Sequence, residues 1–173
     1  RASRSRTLPK SRRRGPARTA YIPLMHAFAE LLDRLLLTPG RNGKLAALKH
    51  YFTQTPDPDR GFALAAIAGE LRFHTAKPAL LRAIVAARVD EQLFALSYDY
   101  VGDLAETVAL IWPERHGANR APSLGEVVEA LTTATRLDAP RLLQGWLDAL
   151  PAAERWALLK LVTGALRIAA GAR

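Results

Sequence analysis

The stretch that decides the fold is DEQLFALSYDYVGDLAETVALIWP, residues 90–113. Its apolar residues recur every three or four positions, which is the spacing of a helix and not the alternation of a strand. Asp90 is a typical helix N-cap, Gly102 is typical of a helix end, and Pro113 cannot continue a helix. The stretch therefore predicts two short helices joined by a tight corner at Gly102.

The same helical spacing continues on both sides of this stretch. The predicted first helix ends before Thr38 and Pro39, which in turn open the second helix, and Asp57 is expected to cap the third. Asp103 and Glu106 make a capping-box pattern for the sixth helix, and Ser123 and Glu126 repeat it ahead of a later helix. The residues expected to face the core in the first five helices are Phe28, Leu31, Leu32, Leu35, Leu36; Leu45, Leu48, Tyr51, Phe52; Phe62, Leu64, Ile67, Leu71; Leu80, Leu81, Ile84, Val85; Leu93, Phe94 and Leu96.

No stretch shows the alternation of β-branched residues that a strand requires, so we predict an all-α chain. Its length of 173 residues fits a single compact domain of eight or nine helices, and we place this domain at residues 25–173.

The positive charge of the chain is concentrated at its start. Residues 1–24 carry eight basic side chains and no acidic one, whereas residues 25–173 carry 17 basic and 16 acidic groups. The first segment lacks apolar periodicity, which predicts a disordered, flexible basic extension. Because Met25 is the only methionine, two interpretations remain open: a basic arm, or leader sequence upstream of the true start.

Several classes of protein and site are disfavoured by composition. The chain has no cysteine, which excludes disulfides and thiolate metal sites and favours the cytoplasm. No apolar run reaches the roughly 18 residues of a membrane span. The four histidines stand apart, no G-x-S-x-G motif occurs, and GRNGKL at residues 40–45 lacks the glycine spacing of a P-loop. We therefore expect neither catalytic residues nor a metal site.

Helix starts that lie beside basic or small residues are candidate phosphate sites, because unpaired amides and the helix dipole attract anions there. Each of the three examples also has a structural interpretation. The segment before the fourth helix could be a solvated loop, the corner at Gly102 a simple helix break, and Gly164, expected inside the last helix, a close packing point. The three candidates are Arg72, His74, Thr75 and Lys77; Gly102 and Asp103; and Thr163, Gly164 and Arg167.

Four segments resemble the N-terminal DNA-binding domain of bacterial ATP-dependent DNA ligases. They are FAELLDRLLLTPGRNGKLAALKHYF at 28–52, TPDPDRGFALAAIAGEL at 55–71, LRAIVAARVDEQLFALSYDYVGDLAETVALIWP at 81–113 and LLKLVTGALRI at 158–168. The GDLA and GALRI pieces are the most distinctive. Ala169 departs from the family, which usually has glycine after the isoleucine.

The resemblance implies an all-helical domain that holds nicked double-stranded DNA through the minor groove and backbone without reading sequence. It matches Gly102, Asp103, Gly164 and Arg167 to the family's positions. Together with the helix-end candidates and two cations of the second helix, the expected DNA-binding set is Arg41, Lys44, Arg72, His74, Thr75, Lys77, Gly102, Asp103, Thr163, Gly164 and Arg167.

The parent enzyme implied by this resemblance would seal nicks in DNA repair and replication with ATP and Mg²⁺. Its further partners would be the nucleotidyltransferase and OB-fold domains of the same ligase. The family becomes adenylated on the lysine of a K-x-D-G motif, and no lysine here precedes x-D-G. We therefore expect a segment that ends before the nucleotidyltransferase domain and is inactive alone.

Two other functions remain as alternatives. A helical protein–protein interaction module would explain the nearly neutral charge of residues 25–173 without DNA. A DNA-binding regulator is the third possibility, although no helix-turn-helix with a basic recognition helix is evident.

Overall fold

The computed structural model describes residues 24–115 and 120–166, and this part of the chain is all-helical, as predicted, without a strand. Most of the predicted extension at residues 1–24 lies outside the described residues, although the first helix already begins at Leu24. The described part forms nine helices: α1 Leu24–Leu37, α2 Arg41–Gln54, α3 Asp59–Ala68, α4 Pro78–Ala86, α5 Glu91–Val101, α6 Leu104–Ile111, α7 Leu124–Thr133, α8 Asp138–Ala149 and α9 Ala152–Thr163. None of them is both long and apolar enough to cross a bilayer.

Side-chain caps start three of these helices where the sequence predicts them. The carboxylate of Asp90 accepts a hydrogen bond from the Leu93 amide at 2.9 Å. Asp103 accepts a hydrogen bond from the Glu106 amide at the start of α6. Ser123 and Glu126 form the complete capping box at the start of α7. Because each cap satisfies an amide that has no partner within its helix, it fixes where the helix begins.

Three predicted helix ends are wrong. Thr38 does not open α2, because its amide donates to the Arg34 carbonyl at 3.0 Å and closes α1 instead. Asp57 does not cap α3, since its carboxylate pairs with Arg60. Gly164 is not inside the last helix but ends it, in the left-handed conformation with φ +67°.

The core is built around α9, which packs against α6 and α1. Apolar side chains cover most of its circumference, as expected for a helix enclosed by others. Leu158 and Leu159 are completely buried there, as are Phe28 and Leu32 of α1. The carboxyl-terminal end of α9 is thereby held in a fixed place among the other helices.

Some leucines predicted to face the core lie on the surface instead. They are between 51% and 63% exposed, because each lies on a helix flank that no neighbouring described helix covers; they are Leu36, Leu45, Leu64, Leu93 and Leu96.

A buried arginine joins the ends of α6 and α8. Arg155, at 5% exposure, donates from Nε to the Leu147 carbonyl at 2.7 Å and from Nη1 to the Trp112 carbonyl at 3.2 Å. Asp148 accepts a hydrogen bond from Trp112 Nε1 at 2.9 Å. These bonds satisfy carbonyls that the helix ends would otherwise leave unpaired.

Candidate nucleic-acid interface

A cleft of about 350 Å³ opens between the segment that joins α3 to α4 and the end of α9. The side chains that line it include Arg72 and Lys77 from the first and Thr163 and Gly164 from the second. No acidic side chain of a described residue lines the cleft. Two of the three predicted phosphate sites are therefore brought together, although about ninety residues separate them along the chain.

The start of α4 contributes a fixed partial positive charge to this cleft. Lys77 is its N-cap residue and Pro78 its first residue, and both line the cleft. No side chain caps the helix. Pro78 has no amide hydrogen and the Leu80 amide donates to the Lys77 carbonyl at 2.9 Å, so the attraction for anions here comes from the helix dipole and the lysine charge and not from a row of free amides.

The end of α9 forms the opposite wall, and its backbone donors are already engaged. The Gly164 amide donates to the Leu161 carbonyl at 3.3 Å and the Ala165 amide to the Lys160 carbonyl at 3.1 Å. The Thr163 hydroxyl donates to the Leu159 carbonyl at 2.7 Å. A Cβ added to Gly164 would meet no atom of a described residue within 4 Å. This glycine therefore leaves open space for a close approach and offers no unpaired amide.

The corner between α5 and α6 is joined to α9 through Asp103. Gly102 ends α5 with φ +75°, and its amide donates to the Tyr98 carbonyl at 2.8 Å. The Asp103 carboxylate accepts from the Glu106 amide at 2.9 Å and lies 2.6 Å from Lys160 Nζ. Asp103 is thus both the predicted cap of α6 and the partner of a lysine that sequence reasoning did not select.

The electrostatics of Asp103 follow from these contacts. Partial burial raises the pKa of the carboxyl, but the Lys160 ammonium and the Glu106 amide stabilise its charged form and outweigh burial. The net pKa of Asp103 lies below its usual range. The carboxylate is therefore ionised at neutral pH and its charge is balanced by Lys160.

The remaining predicted residues occupy different places. Arg41 and Lys44 lie in the first turn of α2 and do not line the cleft. His74 is exposed in the segment before α4, and the Thr75 hydroxyl is buried there without a hydrogen-bond partner in the described structure. Arg167 lies outside the described residues.

Within residues 24–115 and 120–166, no group of three or more metal-ligating side chains comes together. Lys160 had no sequence signal of its own, because only the packing of α9 against α6 places it beside Asp103.

No protein-family model matches this chain, and no curated protein matches it significantly.

Proposed function

We propose that this chain binds nicked double-stranded DNA through its sugar-phosphate backbone, independently of base sequence. It would do so as the N-terminal domain of an ATP-dependent DNA ligase that seals nicks in repair and replication. The observation that carries the proposal is the cleft that Arg72 and Lys77 line together with Thr163 and Gly164, with no acidic side chain among the described residues that line it.

The lining of the cleft suits phosphate better than a base edge. Arginine and lysine neutralise phosphate charge, and the start of α4 adds its dipole to theirs. Backbone contacts position a protein on the duplex but carry no sequence information. A ligase must act on nicks in any sequence, so such a surface fits its task.

Gly164, which lines the cleft, supports the proposal because it leaves space beside the backbone. A Cβ there would meet no atom of a described residue within 4 Å. A sugar-phosphate strand that follows the cleft could therefore approach the backbone closely at this glycine. Gly102 leaves similar space, but it does not line the cleft, and its neighbour Asp103 lines a different depression.

The chemistry of the parent would lie in its other domains. In those domains ATP would supply the adenylyl group and Mg²⁺ would neutralise phosphate charge. This chain contains no K-x-D-G lysine. Its own residues would hold and orient the DNA.

The test is fluorescence anisotropy with a labelled nicked duplex, titrated with salt, on two unrelated sequences. Arg72→Ala and Lys77→Ala should each weaken binding equally on both sequences and reduce the salt slope by about one unit. Arg136→Ala is the matched control, since Arg136 is an exposed cation in the turn before α8, outside the cleft. Binding that depends on one sequence, or that the cleft substitutions leave unchanged, would contradict the proposal.

The alternative function is a helical protein–protein interaction module. Leucines exposed on several helices favour it, with Leu110 at 63% and Leu96 at 63% among them. A module of this kind would show no salt-dependent affinity for nicked DNA once the basic residues 1–23 are deleted, so the same titration on that shortened chain separates the two functions.

A further inference from the structure

A second concave surface lies on the other side of the end of α9. Two adjoining depressions of about 450 Å³ and 360 Å³ run between α1, α6 and α9 and share Leu36, Glu106 and Trp156. We call them together the acidic groove. Its position and charge distinguish it from the cleft proposed for DNA.

The acidic groove exposes large apolar side chains. Leu36 is 55% exposed and Leu110 is 63% exposed, and the half-buried indole of Trp156 lies between their helices. The small side chains of Ala29 and Ala109 also line the groove and leave room above them. Apolar surface gathered in a groove is typical of a site that binds another apolar surface.

The charges of the groove select the kind of partner. Asp33 and Glu106 line it, both are exposed, and neither forms an ion pair with a described residue. Among the described residues, Lys160 is the only basic side chain that lines the groove, and it is already paired with Asp103 at 2.6 Å. The described side chains therefore give the groove a negative field, which repels DNA and favours a basic partner.

The same charges argue against a second copy of this chain. In a symmetric dimer the same patch meets itself, which would bring Asp33 and Glu106 of both copies into one interface. Like charges that face each other in an interface are destabilising.

The length of the groove corresponds to a short helix. The groove follows α9 from Ala152 to Ala165. The 12 residues of α9 give this helix a length of about 18 Å at 1.5 Å per residue. Helices that dock in such grooves place apolar anchors at positions i, i+3, i+4 and i+7. We infer that the acidic groove docks a helical segment of another protein that carries such an apolar stripe flanked by lysine or arginine.

The probe for this inference is a fluorescein-labelled helical peptide of about four turns, with leucine at the stripe positions and lysine elsewhere. Its fluorescence anisotropy is measured as the full chain is added.

Leu110→Ser should weaken peptide binding about tenfold, as loss of an interface anchor worth about 1.4 kcal/mol does. Glu106→Lys should weaken binding several-fold, with a smaller effect at high salt. Tryptophan emission should shift on binding, and Trp156→Phe should remove that shift.

Two variants outside the groove serve as controls. Leu137→Ser changes a leucine that is 82% exposed in the turn before α8, and Glu129→Lys reverses an exposed acid on α7. Both should bind the peptide like the native chain. Groove variants that behave like these controls would overturn the inference.

Two further results would also overturn it. A peptide with the same leucine stripe and glutamate in place of lysine should not bind, and equal binding of both peptides would remove the basis for a basic partner. Sedimentation of the chain as a dimer that Leu110→Ser dissociates would assign the groove to a second copy instead.

Discussion

The Nζ atom of Lys160 lies 2.6 Å from Oδ2 of Asp103 and joins the last helix to the corner between α5 and α6. Asp103 also caps α6 through the Glu106 amide at 2.9 Å. The two roles can be separated by substitution. Asparagine caps a helix about as well as aspartate but carries no charge. Alanine can neither cap the helix nor form the ion pair.

We expect Asp103→Asn and Lys160→Met each to lower the free energy of unfolding by about 1 kcal/mol at neutral pH, because both remove the same partly exposed ion pair. Asp103→Ala should cost about 1 kcal/mol more through loss of the cap. Urea unfolding of the four proteins measures these differences. Equal values for Asp103→Asn and Asp103→Ala would show that the cap contributes nothing.

The pH dependence of this pair has a definite sign. The pKa of Asp103 is lowered in the folded chain, so its contribution is fully present above the ordinary aspartate pKa and is lost as the pH falls through the lowered value. The stability gap between native and Asp103→Asn should be constant from about pH 7 to 5 and shrink below about pH 4. A gap that stays constant down to pH 2 would contradict the assignment.

Two helical glycines should respond to alanine in opposite directions. A Cβ on Gly125 would lie 2.7 Å from Asp59 Oδ1, which accepts the Gly125 amide at 2.8 Å. A Cβ on Gly61 would meet only Asp57 Oδ1, at 3.9 Å. Gly125→Ala should therefore destabilise by about 1–3 kcal/mol, while Gly61→Ala should stabilise by up to about 1 kcal/mol. Thermal unfolding of both variants is the measurement, and two shifts of the same sign would refute the described contact.

Arg155→Met should destabilise the chain by about 3 kcal/mol. The substitution keeps a long side chain but removes the donors to the Leu147 and Trp112 carbonyls, which are costly to leave unpaired when buried. Arg141→Met is the control, because Arg141 is exposed on α8, and it should change stability by less than about 0.5 kcal/mol. A comparable loss from both variants would mean that the buried bonds are not responsible.

The sequence was informative about where most helices begin and end, because caps and prolines act locally. Asp90, Asp103 and Ser123 each bond an amide three residues ahead, and that spacing is visible without a structure. It was misleading at Thr38, whose amide extends α1 by one more bond. A residue between two helices can close the first or open the second, and tertiary packing decides which of the two it does.

The buried side of each helix was only partly predictable. Periodicity identifies an apolar stripe, but whether another helix covers all of it depends on tertiary arrangement. Leu32 and Leu36 belong to the same predicted stripe of α1, yet Leu32 is completely buried and Leu36 is 55% exposed at the acidic groove.

The candidate site was predictable in its parts and not in its assembly. Lys77 was selected beside a predicted helix start and Gly164 inside a predicted helix, and only the position of α9 places them around one cleft. The sequence also suggested unpaired amides at Gly102 and Gly164. Both amides close the ends of their own helices, as left-handed glycines commonly do.

The central claim is that affinity for DNA belongs to the cleft and not to the arginine-rich segment at residues 1–23. The most direct measurement is the Kd for a nicked duplex at physiological salt, for the chain that lacks residues 1–23 and for the same chain with Arg72→Ala and Lys77→Ala. We predict that the deletion alone leaves measurable, sequence-independent binding and that the added double substitution removes most of it. Loss of all binding on deletion, with no effect of the double substitution in the full chain, would contradict the account.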